Sequence, residues 1–174
     1  HFHDHAFDDL FGIGMVHIGI FIKKLLSKIN GHSRFYERLS KRYRYPKNVE
    51  WVTKEVAGVK TEIIAYKDHS SKHCLLQLHG GAYVYEFNDN YRNMAHQYLK
   101  IHPEFKIFSP YYALAPEHPF PKGLNQMLGV YQELLKTYEP DKIIVTGDSA
   151  GGGLALALAY EIVEQGLPLP KAMI

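Results

Sequence analysis

The sequence lacks several features that would assign it to whole classes of protein. It has one cysteine, Cys74, so no internal disulfide can form and a reducing compartment is permitted. Its formal net charge is only +2, which gives no electrostatic reason to expect a nucleic-acid partner. The uncharged apolar run at residues 10–22 is thirteen residues long, short of the ~17–25 needed to span a bilayer. Nor does that run read as a secretory signal, because Asp4, Asp8 and Asp9 precede it and lysines follow it. Neither G-x-x-x-x-G-K-[ST] nor G-x-G-x-x-G occurs, so there is no nucleotide fingerprint. No repeat or low-complexity segment interrupts the chain. Together these absences suggest a cytoplasmic protein, with association at a membrane surface as the alternative.

What is present fits one globular domain. With 174 residues, 46% apolar and 22% charged, the chain is able to bury a proper core. It starts at His1 without an initiator Met and stops at Ile174 within an expected strand, so a longer polypeptide is expected. Residues 1–48 form a separate N-terminal, largely helical segment in this reading, and residues 49–174 an α/β unit. The opening His1-Phe2-His3-Asp4-His5 has metal-ligating side chains, but such runs are also typical of mobile termini and tags, and no metal site is assigned. Residues 23–47 carry nine Lys or Arg against one acid, Glu37. An apolar helix followed by a basic one can lie on an anionic membrane, which makes residues 10–29 the candidate contact. A solvated basic face on a docked helix is the simpler reading.

From Trp51 the pattern alternates. Residues 51–57 and 61–66 are β-branched and aromatic and flank Gly58-Val59-Lys60, which predicts an antiparallel hairpin. Residues 74–78 form a short apolar strand in which Cys74 is a packing residue. Asn88 or Asp89 caps a helix whose face carries Tyr91, Met94, Ala95, Tyr98 and Leu99 and which ends before Pro103. A strand at residues 105–108 leads into a proline-rich loop. Pro121 then opens a helix with Leu124, Met127, Leu128, Tyr131, Leu135 and Tyr138 as its stripe. The last helix, residues 154–163, is apolar on nearly every side and is expected to be deeply buried, with Gly166 and Pro168 ending it. Strand and helix alternating with short buried strands predict a mostly parallel sheet covered on both faces.

Ile143-Ile144-Val145-Thr146-Gly147-Asp148-Ser149-Ala150-Gly151-Gly152 is strand, sharp turn and helix, with a serine at the apex. So tight a turn strains the serine backbone, and Gly147 and Gly151 remove the Cβ atoms that would clash. Helix onset after Ser149 aims N–H groups at any oxyanion formed there. Taken alone, the motif fits a glycine-rich helix start with a capping serine equally well. A second motif tips the balance. His79-Gly80-Gly81-Ala82-Tyr83 follows a buried strand, and its glycine pair lets backbone N–H groups turn away from the sheet to hold an oxyanion. His79 is expected to buttress that loop. In a parallel sheet both motifs follow strand C-termini, and so they meet at one crevice. Trypsin-like proteases share a Gly-Asp-Ser-Gly-Gly run but are all-β, whereas this motif sits between a strand and a helix.

The segments LLQLHGGAY, YALAPEHPFP and IIVTGDSAGGGLA, in that order, resemble the hormone-sensitive-lipase family of α/β-hydrolases. The resemblance spans roughly residues 51–174, the N-terminal portion of such a domain. It implies a carboxylic ester hydrolase without metal or organic cofactor, acting on a small ester through an acyl-enzyme on Ser149. The oxyanion donors it implies are the backbone N–H groups of Gly80, Gly81 and Ala150, with Ala82 a further candidate in place of the commoner third glycine. Gly147, Asp148, Gly151 and Gly152 belong to the elbow, and Asp148 is expected to face outward. Glu117 and His118 match family positions of structural character. N-terminal helices in such enzymes often form a cap over the acyl pocket, a third reading of residues 10–29.

One element of that pattern is absent. The family triad runs Ser, Asp or Glu, then His, but the twenty-five residues after Ser149 contain no Asp or His. Their only acids, Glu161 and Glu164, fall on the helix leading away. The triad acid and His, and with them the missing C-terminal half of the domain, are expected beyond Ile174. The rival reading is a non-catalytic small-molecule-binding protein on the same scaffold.

Overall fold

The computed structural model describes residues 43–174. The readings made for residues 1–42, the His-rich start and the cap or membrane segment at 10–29 among them, lie outside the described residues.

Six strands form one sheet: β1 (Val49–Val56), β2 (Val59–Tyr66), β3 (His73–Leu78), β4 (Phe105–Pro110), β5 (Ile143–Gly147) and β6 (Ala172–Met173). Their spatial order is β1-β2-β4-β3-β5-β6. The β1–β2 and β2–β4 pairs are antiparallel, and β4, β3, β5 and β6 run parallel. Among the described residues three α-helices complete the α/β alternation: α1 (Asp89–Ile101), α2 (Lys122–Leu134) and α3 (Ala150–Glu164).

The strands alternate between two cores, as the two-residue period requires. Cys74, Leu76, Leu78, Ile143 and Val145 face α2 and α3, while Leu75 and Ile107 face Ala95 and Leu99 of α1. Cys74 is fully buried, as a packing residue should be. Asn88 caps α1, its side chain accepting from the Asn90 N–H at 2.9 Å. At the other end of the sequence, Gly166 (φ 63°) closes α3. The N–H groups of Gly166 and Leu167 bond the carbonyls of Val163 (3.0 Å) and Ile162 (2.9 Å), the pairing of a Schellman cap.

Three expectations need correction. The hairpin turn is Ala57-Gly58, both at positive φ (50° and 74°), and Val59 already belongs to β2, paired with Val56 and 2% exposed. A two-residue turn of this kind matches the twist of the strands it joins, which a longer loop would not require. The stripe on α2 outlasts the helix: Leu135 and Tyr138 follow its end and pack only partly against the core. Most plainly, α3 is not buried all round. Leu154, Ala155, Leu158 and Ile162 meet the sheet, but Leu156, Tyr160 and Val163 are more than half exposed. Apolar composition overstated burial, because only one stripe of an α-helix can touch a sheet lying on one side of it.

One buried polar cluster joins β2 to α1. Glu62 is 2% exposed, and both its oxygens accept from Arg92 Nε (3.1 and 2.9 Å). Oε1 also accepts from the Tyr45 hydroxyl (2.7 Å) and Oε2 from the Tyr111 hydroxyl (3.3 Å). The Arg92 fork continues to Asp89 (2.5 Å) and to the Tyr111 hydroxyl (2.8 Å). A carboxylate this buried is tolerable only while its partners remain. Arg92→Met should therefore cost about 3–5 kcal/mol in urea unfolding, and adding Glu62→Leu to it should recover part of that loss.

Candidate active site

β5 is buried between β3 and β6, and its register with β3 sets Leu78 opposite Gly147. Both strands run out at the same edge, so the loops beginning at His79 and Asp148 are neighbours. Ser149 is the hinge of the second loop. Its φ of 52° and ψ of −121° lie in a region that non-glycine residues rarely occupy, and the residue is exposed. The next residue, Ala150, starts α3. A Cβ at Gly147 would collide with the Gly151 carbonyl, and one at Gly151 with the carbonyls of Leu78 and His79. The elbow is thus wedged against the end of β3, and packing holds the strain at Ser149.

The first loop has its own strain. Gly81, Ala82 and Tyr83 all have positive φ (118°, 52° and 59°). Such backbone is rarely adopted by non-glycine residues, so the surrounding structure must hold the loop. The Gly81 carbonyl accepts from the N–H groups of Val84 and Tyr85 (3.0 Å each), which closes the turn. Among the described residues, the N–H groups of Gly81, Ala82 and Ala150 donate to no protein group.

The N–H of Gly80 is committed. It donates to the Tyr91 hydroxyl (2.9 Å) and to Asp148 Oδ1 (3.2 Å). Asp148 is exposed, as expected, but its carboxylate is not free: besides Gly80 it also accepts from Tyr91 at Oδ2 (3.1 Å). A free N–H and a hydroxyl lie within its reach, and a carboxylate beside unpaired donors bonds them.

His79 is 1% exposed and stacks on Tyr112, with ring centroids 4.2 Å apart and planes at 16°. Its Nδ1 lies 2.8 Å from the Gly80 carbonyl, which can only accept, so Nδ1 carries the proton. Burial lowers its pKa, and the hydrogen bond to the Gly80 carbonyl and the neighbouring carboxylates only partly offset this. The Tyr112 hydroxyl, held protonated by burial, donates to the His79 carbonyl at 2.5 Å.

The remaining candidates fall elsewhere. Glu117 and His118 are exposed on the proline-rich loop. Glu161 and Glu164 are twelve and fifteen residues along the chain from Ser149, on the far half of α3, about 18 Å or more away at 1.5 Å per residue. Gly152 lies inside the first turn of α3. No described residue hydrogen-bonds the Ser149 hydroxyl. Among the described residues no group of three or more His, Cys, Asp or Glu could hold a metal. A cavity of about 260 Å³ lined by His73, His102, Pro103, Glu104 and Phe105 opens at the start of β3, the opposite edge of the sheet. No helix among the described residues is long and apolar enough to cross a membrane. Reading the sequence missed Tyr91, counted as an apolar helix position, and the pair Tyr111-Tyr112. A tyrosine in an apolar stripe beside a glycine loop was the available signal.

A mostly parallel sheet with a serine elbow and a Gly-Gly loop at one edge is an α/β-hydrolase framework. Known proteins agree: a family model for the alpha/beta hydrolase fold matches residues 75–174, and the chain belongs to that family. Its relatives there include esterases, acetyl-hydrolases and a hormone-sensitive lipase. It is 33% identical over 120 residues to an esterase of Acinetobacter venetianus, covering 68% of this chain and 39% of that protein. It is 29% identical over 111 residues to hormone-sensitive lipase of Mus musculus, covering 59% and 14%. The crystal structure of an esterase from the bacterial hormone-sensitive-lipase family matches with a TM-score of 0.70 at 32% identity, over 75% of this chain and 44% of that one. The chain spans 39–49% of the length of three curated relatives that it matches.

Because burial depresses the His79 pKa below the ordinary value of about 6.5, the native state binds fewer protons than the unfolded chain between those two values. Stability is therefore complete above about pH 6.5 and falls as pH drops toward the folded pKa, by up to about 1.4 kcal/mol per pH unit. His96, also lowered by burial, acts in the same direction. In urea titrations at pH 7 and 5.5, the loss on acidification should be smaller in His79→Gln than in the wild type.

Proposed function

We propose that this chain carries the nucleophile and the oxyanion hole of a serine carboxylic ester hydrolase. One observation carries the reading: a strained, exposed Ser149 at a strand–helix junction lies at the same sheet edge as a left-handed loop whose Gly81 and Ala82 N–H groups are uncommitted. Ser149 Oγ attacks the ester carbonyl carbon, and its proton passes to a general base supplied from outside the described residues. The N–H groups of Gly81, Ala82 and Ala150 hold the tetrahedral oxyanion, with Gly80 bracing the loop. The C–O bond to the alcohol then breaks, the alcohol leaves with the proton held by the base, and the acyl group stays on Ser149. Water, deprotonated by the same base, attacks the acyl-enzyme and releases the acid.

The substrate class is a small ester with a short acyl group. It is supported by relatives named for acetate: versiconal hemiacetal acetate esterase of Emericella nidulans and an acetyl-hydrolase of Streptomyces hygroscopicus. In the whole protein, Ser149→Ala should lower turnover of a p-nitrophenyl acetate or butyrate ester by more than ~10³-fold, the scale expected for a triad member. Mass spectrometry should find a serine-directed phosphonate on the peptide containing Ser149. Wild-type turnover by Ser149→Ala would refute the assignment. Tight ester binding without turnover would favour the binding-protein reading.

A further inference from the structure

Two successive peptide units at the end of β3 are tied down by side chains. In the His79–Gly80 unit, the carbonyl accepts from the Tyr112 hydroxyl (2.5 Å), while the N–H donates to the Tyr91 hydroxyl (2.9 Å) and Asp148 Oδ1 (3.2 Å). In the Gly80–Gly81 unit, the carbonyl accepts from His79 Nδ1 (2.8 Å). A planar trans peptide points its C=O and N–H in opposite directions. Holding the Gly80 carbonyl on His79 therefore aims the Gly81 N–H away from it.

Tyr91 and Asp148 form the third side of this arrangement. The Tyr91 hydroxyl accepts from Gly80 and donates to Asp148 Oδ2 (3.1 Å), so N–H, hydroxyl and carboxylate close a triangle. Burial, reinforced by the Asp148 carboxylate, raises the Tyr91 pKa and keeps the phenol protonated as that donor. The residue at 80 supports the same arrangement. Gly80 is absent from the positive-φ residues, so backbone conformation does not demand glycine there. Space does: a Cβ on it would lie 2.8 Å from the Asp148 carbonyl, Asp148 Oδ2 and the Tyr91 hydroxyl alike. Tyr91 itself is well anchored, stacked on Phe87 (6.0 Å, 28°) and next to Arg92, which is bound to buried Glu62.

We infer that Tyr91 and Asp148 are positioning residues of the oxyanion loop: they take the Gly80 N–H out of use and thereby fix where Gly81 and Ala82 present theirs. The inference rests on the ester-hydrolase reading of Ser149 and assigns to Asp148 a task other than proton transfer. It also excludes Gly80 as a direct oxyanion donor.

The test uses the whole protein with Tyr91→Phe, Asp148→Asn and the double variant, assayed on p-nitrophenyl acetate where circular dichroism shows each fully folded. Tyr91→Phe keeps the ring and its stacking and removes only the hydroxyl. Its kcat should fall about tenfold with KM little changed, a fraction of the ~10²–10³ lost with a whole oxyanion donor. Affinity for butylboronic acid, whose serine adduct is tetrahedral and needs the oxyanion donors, should fall by a similar factor, while affinity for the butyrate product should not change. The double variant should lose little more than the worse single variant, as expected of groups acting as one unit. If Ser149→Ala is inactive but Tyr91→Phe retains wild-type kcat and boronate affinity, or loses KM alone, the inference is overturned. Additive losses in the double variant would also overturn it. Turnover surviving Ser149→Ala would instead bring down the ester-hydrolase reading, and this inference with it.

Discussion

The parallel pairing of β3 with β5 is the constraint on which the rest of the structure depends. With Leu78 opposite Gly147, two strands far apart in sequence end at the same level of one sheet. Everything chemical follows within a few residues of those ends. Each strand is short and apolar and buried on both faces, so sliding the register would expose Leu76, Leu78 or Val145 and is strongly disfavoured. The site inherits its overall placement from this packing, and contacts of its own then set the orientation of the loop.

Strain sits where the two strands end. Ser149 and the Ala82-Tyr83 pair have left-handed backbone, which costs on the order of 1–2 kcal/mol per non-glycine residue. No local interaction relieves it. At the elbow, the close approach of Gly147 to the Gly151 carbonyl, and of Gly151 to the end of β3, leaves the chain no other course. In the loop, the Gly81 carbonyl accepts from the N–H groups of Val84 and Tyr85, which closes the turn around Ala82 and Tyr83. The result is an exposed hydroxyl at the same edge of the sheet as a loop with uncommitted backbone N–H groups, the pairing on which the proposed ester chemistry rests.

The first turn of α1 links two regions that would otherwise be independent. Through Arg92 and Asp89 it holds buried Glu62 of β2 and the backbone of Tyr43, while through Tyr91 it reaches Gly80 and Asp148. Phe87, just before the helix cap, packs near both His79 and Tyr111. A buried ion pair contributes little net stability compared with well-packed apolar residues, but removing one partner is expensive. Such a cluster therefore specifies an arrangement more than it strengthens one. Here the arrangement includes the distance between the helix start and the glycine loop at residues 80–81.

The sequence by itself determined the strand–helix alternation, the elbow at Ser149, the glycine loop at residues 80–81 and the burial of Cys74. These depend on local rules: hydrophobic period, glycine where a Cβ cannot fit, and caps at helix ends. Even their convergence could be read, since right-handed crossovers bring parallel strand ends to one edge. Tertiary structure decided what depends on partners distant in the chain. It showed that α3 buries one stripe and not its whole surface, because helix composition does not say how many neighbours surround it. It engaged the exposed Asp148 carboxylate with Gly80 and Tyr91, since a carboxylate's direction depends on which donors lie near it. It made Tyr91 a hydrogen-bonding residue where a periodic pattern could show only an apolar position. And it committed the Gly80 N–H, which in sequence is indistinguishable from that of Gly81, because only the fold brings a phenol and a carboxylate against one of two adjacent glycines.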